Sequence, residues 1–307
     1  MSTTGRATGV VLFGAVVCGT TGTALTALAP QASALTAAAM RLLVGGATLG
    51  ALAVATGRRP AELFAHRGPL AAGAVAVALY QVCFFTGTTR TGVALATVIA
   101  LGSAPVFSGL INATLLRRPP SARWAAGTTL AVIGVALIAR SQPSARTDLV
   151  GILAALAAGI GWATYAMIGQ QRIRAGLDST TCMAALFTGG AVLSAPLLLT
   201  GDVSWTTTRN GIALSLYLGI FTIGVVYTCF GWGLRQLPAH TTVTLTLAEP
   251  MTAAILAATV LHQDIGATGW LGVVLVAFAL LVTASRSDSA AHPATEPRPR
   301  SRAGVPT

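Results

Sequence analysis

The sequence predicts an all-α integral membrane protein whose ten transmembrane helices form two inverted five-helix repeats. Three observations carry that prediction. Hydrophobic residues make up 54% of the chain and charged residues 9%, against about 25% charged in ordinary soluble domains. The apolar residues gather in long continuous runs, not in the short alternating segments of a membrane β-barrel. Finally, the chain repeats itself. TTVTLTLAEPMTAAILAATVLHQDIGATGWLGVVLVAFALLVTA, from Thr241 to Ala284, is a near copy of ATVIALGSAPVFSGLINATLLRRPPSARWAAGTTLAVIGVALIA, which ends at Ala139. Without a gap, Pro250 falls on Pro105, Leu261 on Leu116, Gly272 on Gly127 and Ala284 on Ala139.

A helix that crosses a bilayer needs about 20 mostly apolar residues. On that rule the spans fall at approximately 8–28, 34–56, 69–89, 92–115, 122–139, 149–170, 180–200, 210–233, 238–261 and 267–285. Turn-forming links separate them, among them Ala29-Pro30-Gln31, Thr91-Gly92 and Leu237-Pro238. Arg6, an apolar run and Ala32-Ser33-Ala34 together resemble a cleaved signal peptide. The run from Gly9 to Ala24, however, has a counterpart at Gly151 to Ala166, with Gly19 on Gly161, and a repeated segment reads as a retained span. The expected organisation is a cytoplasmic N-terminus at 1–7, a first unit at 8–140, a second at 141–285 and a tail at 286–307. That tail is rich in Pro, Ala, Ser and Arg without apolar period, and is expected to be disordered and cytoplasmic.

The net charge of +11 comes from 19 basic residues, all arginine, against 8 acidic ones. Nucleic-acid binding would need them clustered on a folded face, whereas they sit in links between apolar runs, the membrane pattern. With the N-terminus inside, the inner segments hold Arg6, Arg58, Arg59, Arg67, Arg117, Arg118, Arg123, Arg172, Arg174, Arg235, Arg286, Arg298, Arg300 and Arg302. The outer ones hold Arg90, Arg140, Arg146 and Arg209. Both termini are therefore expected in the cytoplasm. Because each unit has an odd number of spans, the second must enter the membrane inverted. The links agree: RRPPSAR carries three arginines and faces in, whereas its counterpart HQDIGATG carries none and faces out. Many secondary transporters share this architecture and rock two similar halves about a central site.

Close helix contacts are expected at Gly46 and Gly50, and along Gly151, Ala155, Gly159 and Ala163, since small residues let backbones approach in lipid. The four cysteines, Cys18, Cys83, Cys182 and Cys229, lie in different runs without metal-ligand spacing and read as packing residues.

Two fully charged residues fall within spans, Arg41 and Glu249. Each costs about 2.5–3.5 kcal/mol at a helix centre on insertion scales, so each needs a partner or a wet cavity. Glu249 precedes Pro250, which removes a backbone donor and loosens the helix. Three roles stay open for it: holding a cationic group of cargo, taking up a proton in coupling, or a structural one, paired with Arg41 or hydrogen-bonded at the kink. Arg41 reads as structural, since long arginines snorkel, or as a contact for an anionic group of cargo. Next come Trp162 and Tyr165, three apart on span 6; Tyr80 and Gln81 on span 3, aligned with Val225 and Val226 beside Tyr227; and Thr20, whose hydroxyl could line a cavity or bond back to its helix. Rings with few polar groups suit a pocket for a small organic solute. Trp205 and Trp270, near span ends, read as interfacial anchors. His240 and His262 are given no role. The sequence has no phosphate-binding loop, so ATP is not the direct energy source. It has no histidine–acid cluster with metal spacing, and nothing in it supports catalysis, so neither a cofactor nor a metal is expected.

The residues resemble the EamA-type branch of the drug/metabolite transporter superfamily. Ala248-Glu249-Pro250, a polar link, Gly272 and a final apolar helix look like the family's second-half signature. Ala104-Pro105 through Gly134-Val135 looks like the first-half one, and Arg41 in Met40-Arg41-Leu42-Leu43 resembles an arginine of the second span. The resemblance covers about residues 8–285. Members often carry a glutamate in the links after spans 4 and 9, where this chain has Arg118 and Gln263, with Asp264 one residue on. The resemblance implies a secondary transporter that moves amino acids, related metabolites or drugs across the inner membrane by alternating access, in the export direction by analogy, with proton coupling through Glu249 as one mode. The alternatives are a channel-like facilitator or a membrane enzyme. The expected partners are a small-molecule substrate and the bilayer, and the oligomeric state is open.

Overall fold

The computed structural model describes residues 3–57, 67–115, 117–141 and 148–284. Arg58, Arg59, Leu116, Arg146, Arg286 and the tail that follows lie outside the described residues. Among the described residues ten helices are long and apolar enough to cross a membrane: α1 Thr3–Leu28, α2 Ala34–Ala55, α3 Arg67–Thr91, α4 Val93–Thr114, α5 Ala122–Arg140, α6 Leu149–Arg174, α7 Ser179–Leu199, α8 Arg209–Gln236, α9 Ala239–Thr259 and α10 Gly266–Ala284.

Short polar side chains start several of these helices by accepting a bond from an otherwise orphan backbone N–H. Ser33 caps α2 through Thr36 N at 3.2 Å, Ser121 caps α5 through Trp124 N at 3.2 Å, and Asp178 caps α7 through Thr181 N at 3.1 Å. Asp148 caps α6 through Gly151 N at 2.8 Å, and its other oxygen lies 3.5 Å from Arg90 at the end of α3.

Three helices are irregular along their length, and in α1 and α9 the irregularity has a local cause. In α1 the hydroxyls of Thr20 and Thr21 bond back to Val17 O and Cys18 O, both at 2.6 Å, where the helix is interrupted at Thr20. In α9, Pro250 has no N–H to give Thr246 O. The Glu249 N–H takes that carbonyl instead at 2.9 Å, and the helix breaks between Leu245 and Ala248. In α8, Tyr217–Val225 widens to a π-helix.

The two units are related by an approximate two-fold axis, visible in the pairing of helices. α2 packs on α7 and α5 on α10; α3 packs on α6 as α8 does on α1; α4 packs on α6 as α9 does on α1; α2 packs on α8 as α7 does on α3. At the α5–α10 crossing the relation holds residue by residue. A Cβ on Gly272 would lie 2.5 Å from Gly134 O, and one on Gly127 would meet Thr283 Oγ1 at 2.6 Å and Ala279 O at 3.5 Å. Gly127 thus faces Ala279 and Thr283 while Gly134 faces Gly272, so numbers rise along one helix as they fall along the other. Equivalent helices run antiparallel, which is the inverted repeat. The small-residue stripe of α6 forms a close seam as expected: Gly151 faces Arg90 and Thr91, and Gly159 faces Ala100 and Ser103.

One expectation is corrected here. Trp205 is no interfacial anchor: it is 2% exposed, with its indole N–H on Thr36 Oγ1 at 3.2 Å, because the α7–α8 link folds in against α2. Trp270 is 45% exposed, as an anchor would be.

Candidate functional site

The irregular stretches of α1, α8 and α9 bring the charged residues together in the middle of the bundle. Gly19 of α1 lies so close to α9 that a Cβ there would be 2.6 Å from Glu249 O and 2.7 Å from Thr252 Cβ. Cys18 directly precedes Gly19. Arg41 of α2 donates from Nη2 to Cys18 Sγ at 3.1 Å and to Thr222 O at 3.1 Å, and from Nε to Thr222 Oγ1 at 2.7 Å. Cys18 in turn interacts with the Glu249 carboxylate. Arg41 therefore does not snorkel out of the membrane but is held inside it. The Cys18 thiol, read from sequence as mere packing, sits between the two charges.

Arg41 and Glu249 are within electrostatic reach of each other, yet among the described residues they form no direct ion pair. The bonds of Arg41 leave from Nε and Nη2, so among the described residues Nη1 keeps both of its donors. Glu249 stands in the first turn of the second half of α9, where the unpaired N–H groups of a helix start favour negative charge.

An aromatic wall closes on this pair. Tyr80 of α3 interacts with Glu249, Arg41 and Tyr227, and its ring lies 5.4 Å from that of Trp162 on α6. Tyr165 O–H is 3.3 Å from Tyr227 O–H, and Phe187 packs against Tyr227 at 3.9 Å between centroids. Trp162 is buried, and its Nε1 has no hydrogen-bond partner among the described residues. An indole N–H left so costs about 1–3 kcal/mol unless something accepts from it.

Of the residues read from sequence as cavity-lining, Glu249, Tyr80, Trp162, Tyr165 and Tyr227 thus converge, together with Arg41. Two do not. Gln81 turns to α2 and donates to Ala38 O at 3.4 Å, and Thr20 bonds Val17 O and the Tyr217 hydroxyl at 2.5 Å. Thr222 and Cys18 join them although neither has a place in the cavity on sequence alone: one is a threonine among many, the other a cysteine that reads as packing. No group of three or more His, Cys, Asp or Glu among the described residues could hold a metal. A separate pocket, lined by Leu28, Pro30, Gln31, Thr208, Arg209 and Asn210, lies at the opposite end of α1 from Arg6 and away from the aromatic wall.

Gln170 organises the other end of the bundle. Its Nε2 donates to Leu234 O at 3.3 Å and Leu237 O at 2.6 Å, while its Oε1 accepts from Ala239 N at 3.0 Å. These bonds tie the α8–α9 junction to α6. Beside it, Trp124 of α5 donates to Thr244 Oγ1 at 3.0 Å and lies edge-on to His240.

Comparison with known proteins agrees with the repeat. The model of the EamA-like transporter family matches twice, at residues 6–140 and 149–285. The chain is 38% identical over 291 residues to the uncharacterized transporter YwfM of Bacillus subtilis, covering 92% of this chain and 96% of that protein. It is 30% identical over 163 residues to the threonine/homoserine exporter RhtA of Escherichia coli K12, covering 51% of this chain and 52% of RhtA. A solved crystal structure superposes with a TM-score of 0.76 over 92% of this chain and 99% of its own, at 20% identity, which bears on the fold.

Proposed function

The chain belongs to the EamA-like transporter family, and from that premise we propose that it carries small zwitterionic solutes, amino acids and their relatives, by alternating access. The observation that supports this reading best is the approach of two unlike charges, Arg41 and Glu249, to within electrostatic reach in the middle of the bundle. The free Nη1 edge of Arg41 offers two donors to a carboxylate, and Glu249 offers an acceptor to an ammonium group. Burial makes each contact stronger than it would be in water. Tyr80, Trp162, Tyr165 and Tyr227 would enclose the rest of the cargo, with Trp162 Nε1 as a further donor. The pseudo-two-fold supports the alternating motion, since two similar halves can pack in either of two related ways.

Export is the direction proposed, on the likeness to RhtA, whose name describes it as a threonine/homoserine exporter. The cell membrane is the proposed location, with both termini in the cytoplasm, on the placement of the arginines. Glu249 also supplies a carboxylate able to take a proton when the chamber is empty, which would couple cargo to a proton gradient. Purified protein in proteoliposomes tests this. Glu249→Gln should slow L-threonine transport about tenfold or more, the effect of a lost contact of about 1.4 kcal/mol, and flatten its pH dependence. A variant whose rate and pH dependence both match the wild type would remove Glu249 from the mechanism.

A further inference from the structure

We infer that Thr222 is a positioning residue: together with the π-helical stretch that carries it, it aims Arg41 so that the free Nη1 edge meets the carboxylate of the cargo. This rests on the proposed role of Arg41, and adds to it what makes an arginine in an apolar bundle selective rather than merely buried.

The geometry is two-pronged. Thr222 Oγ1 and Thr222 O take Nε and Nη2, at 2.7 and 3.1 Å, along one edge of the guanidinium. The hydroxyl is itself fixed, donating to Leu218 O at 2.6 Å, and Thr222 is fully buried. A planar fork held along one edge has its other edge fixed in direction. The π-helix makes the second prong available. A regular α-helix would give the carbonyl of Thr222 to Val226 N–H, whereas here that N–H goes to Phe221 O and Ile223 O, and such π stretches occur frequently at functional sites. Cys18 supplies the third contact and closes the remaining Nη2 donor.

The molecule contains its own control. The two-fold relates the α2–α8 contact to the α7–α3 contact. There the corresponding stretches read Met183-Ala184-Ala185-Leu186-Phe187 on α7 and Gly73-Ala74-Val75-Ala76-Val77-Ala78-Leu79 on α3. A Cβ on Gly73 would meet Leu186, and one on Gly190 would meet Val77. The fold makes this contact with apolar residues alone, and α3 stays an ordinary α-helix there. The Arg41–Thr222 pair and the π stretch are thus additions to one half, not requirements of the packing. An addition of that cost in one of two equivalent places belongs to the half that must tell one end of the cargo from the other.

The test uses L-threonine, L-threoninamide and the decarboxylated amine of threonine as probes with the full chain in proteoliposomes. Thr222→Val keeps the shape and removes the hydroxyl. It should raise the KM for L-threonine about tenfold, the worth of one charge-assisted bond, with kcat little changed and competition by the two carboxylate-free probes unmoved. Thr222→Ser should restore the wild-type KM, which a purely structural lesion would not allow. If Thr222→Val does not fold, Thr222→Ala takes its place. In parallel, NMR of isotope-labelled arginine reads the Arg41 Nε–H, slow to exchange in the wild type and in Thr222→Ser and fast in the variants lacking the hydroxyl. An unchanged KM with an unchanged Nε–H signal overturns the positioning role and leaves the carrier reading standing. A wild type that takes the carboxylate-free amine as well as it takes L-threonine overturns both.

Discussion

Two glycines related by the two-fold, Gly272 and Gly127, should respond unequally to the same substitution. In Gly272→Ala the new Cβ would stand 2.5 Å from Gly134 O, 2.8 Å from Ile138 N and 2.9 Å from Ile138 Cγ1. Two of those atoms are backbone and cannot turn aside. Restoring an ordinary C···O contact of about 3.3 Å requires α5 and α10 to separate by roughly 0.8 Å. A gap of that size forfeits a quarter to a half of each dispersion contact along the seam, and such overpacking costs about 1–3 kcal/mol. In Gly127→Ala the near atom is Thr283 Oγ1 at 2.6 Å, with Ala279 O at an ordinary 3.5 Å. The Thr283 side chain can rotate away, losing its 2.9 Å bond to Ala279 O, which is worth about 0.5–1.5 kcal/mol. Both variants gain up to about 1 kcal/mol of helix propensity, so Gly127→Ala should be near neutral. Gly272→Ala should remain destabilised by up to about 2 kcal/mol after the same propensity gain. Thermal unfolding of the two variants in one detergent measures this, and only Gly272→Ala should melt early. Equal losses, or a larger loss in Gly127→Ala, would refute the account of the seam.

The inverted topology has its own check: Pro119→Cys and Thr268→Cys, in the paired links, should react with a membrane-impermeant maleimide from opposite faces. The native cysteines should stay silent in that assay, since Cys18 and Cys182 are buried and Cys83 and Cys229 half-buried; labelling of both links from one face contradicts the arrangement. Gln170→Leu places at the α8–α9 junction the residue type found at the aligned Leu28. It strands Leu234 O, Leu237 O and Ala239 N, and should destabilise the protein by about 2–4 kcal/mol. An unchanged melting temperature would show that the junction holds without it. Asp148→Ala should cost about 1 kcal/mol through loss of the α6 cap and little more from the half-exposed Arg90 pair. A loss several times larger in the same unfolding measurement would mean the pair matters more than its exposure allows.

The helices were legible because a bilayer leaves little choice. Apolar runs of fixed length, separated by short turn-forming links, have few alternative readings. The repeat was legible because Pro105 and Pro250, and Gly127 and Gly272, keep one spacing. The charged centre announced itself too, since Arg41 and Glu249 stand out of apolar runs. What escaped is what depends on helix rotation. In spans that are apolar all round, periodicity does not tell which face looks inward, so Gln81 and Thr20 read like cavity residues although one turns to α2 and the other to Tyr217. Thr222 was invisible for a further reason. It is one threonine among many, and nothing in the apolar run YLGIFTIGV signals a π-helix. Its meaning depends on α2 lying alongside. Trp205 misled because a position near a span end suggests lipid headgroups, and the fold of the following link decides otherwise.

Counterflow in proteoliposomes tests the central claim, a carrier whose single chamber opens alternately to either side. Vesicles loaded with unlabelled L-threonine should take up labelled L-threonine transiently beyond equilibrium, with a rate that saturates as its outside concentration rises. Uptake indifferent to the internal load, and linear in concentration, would describe a channel and contradict the account.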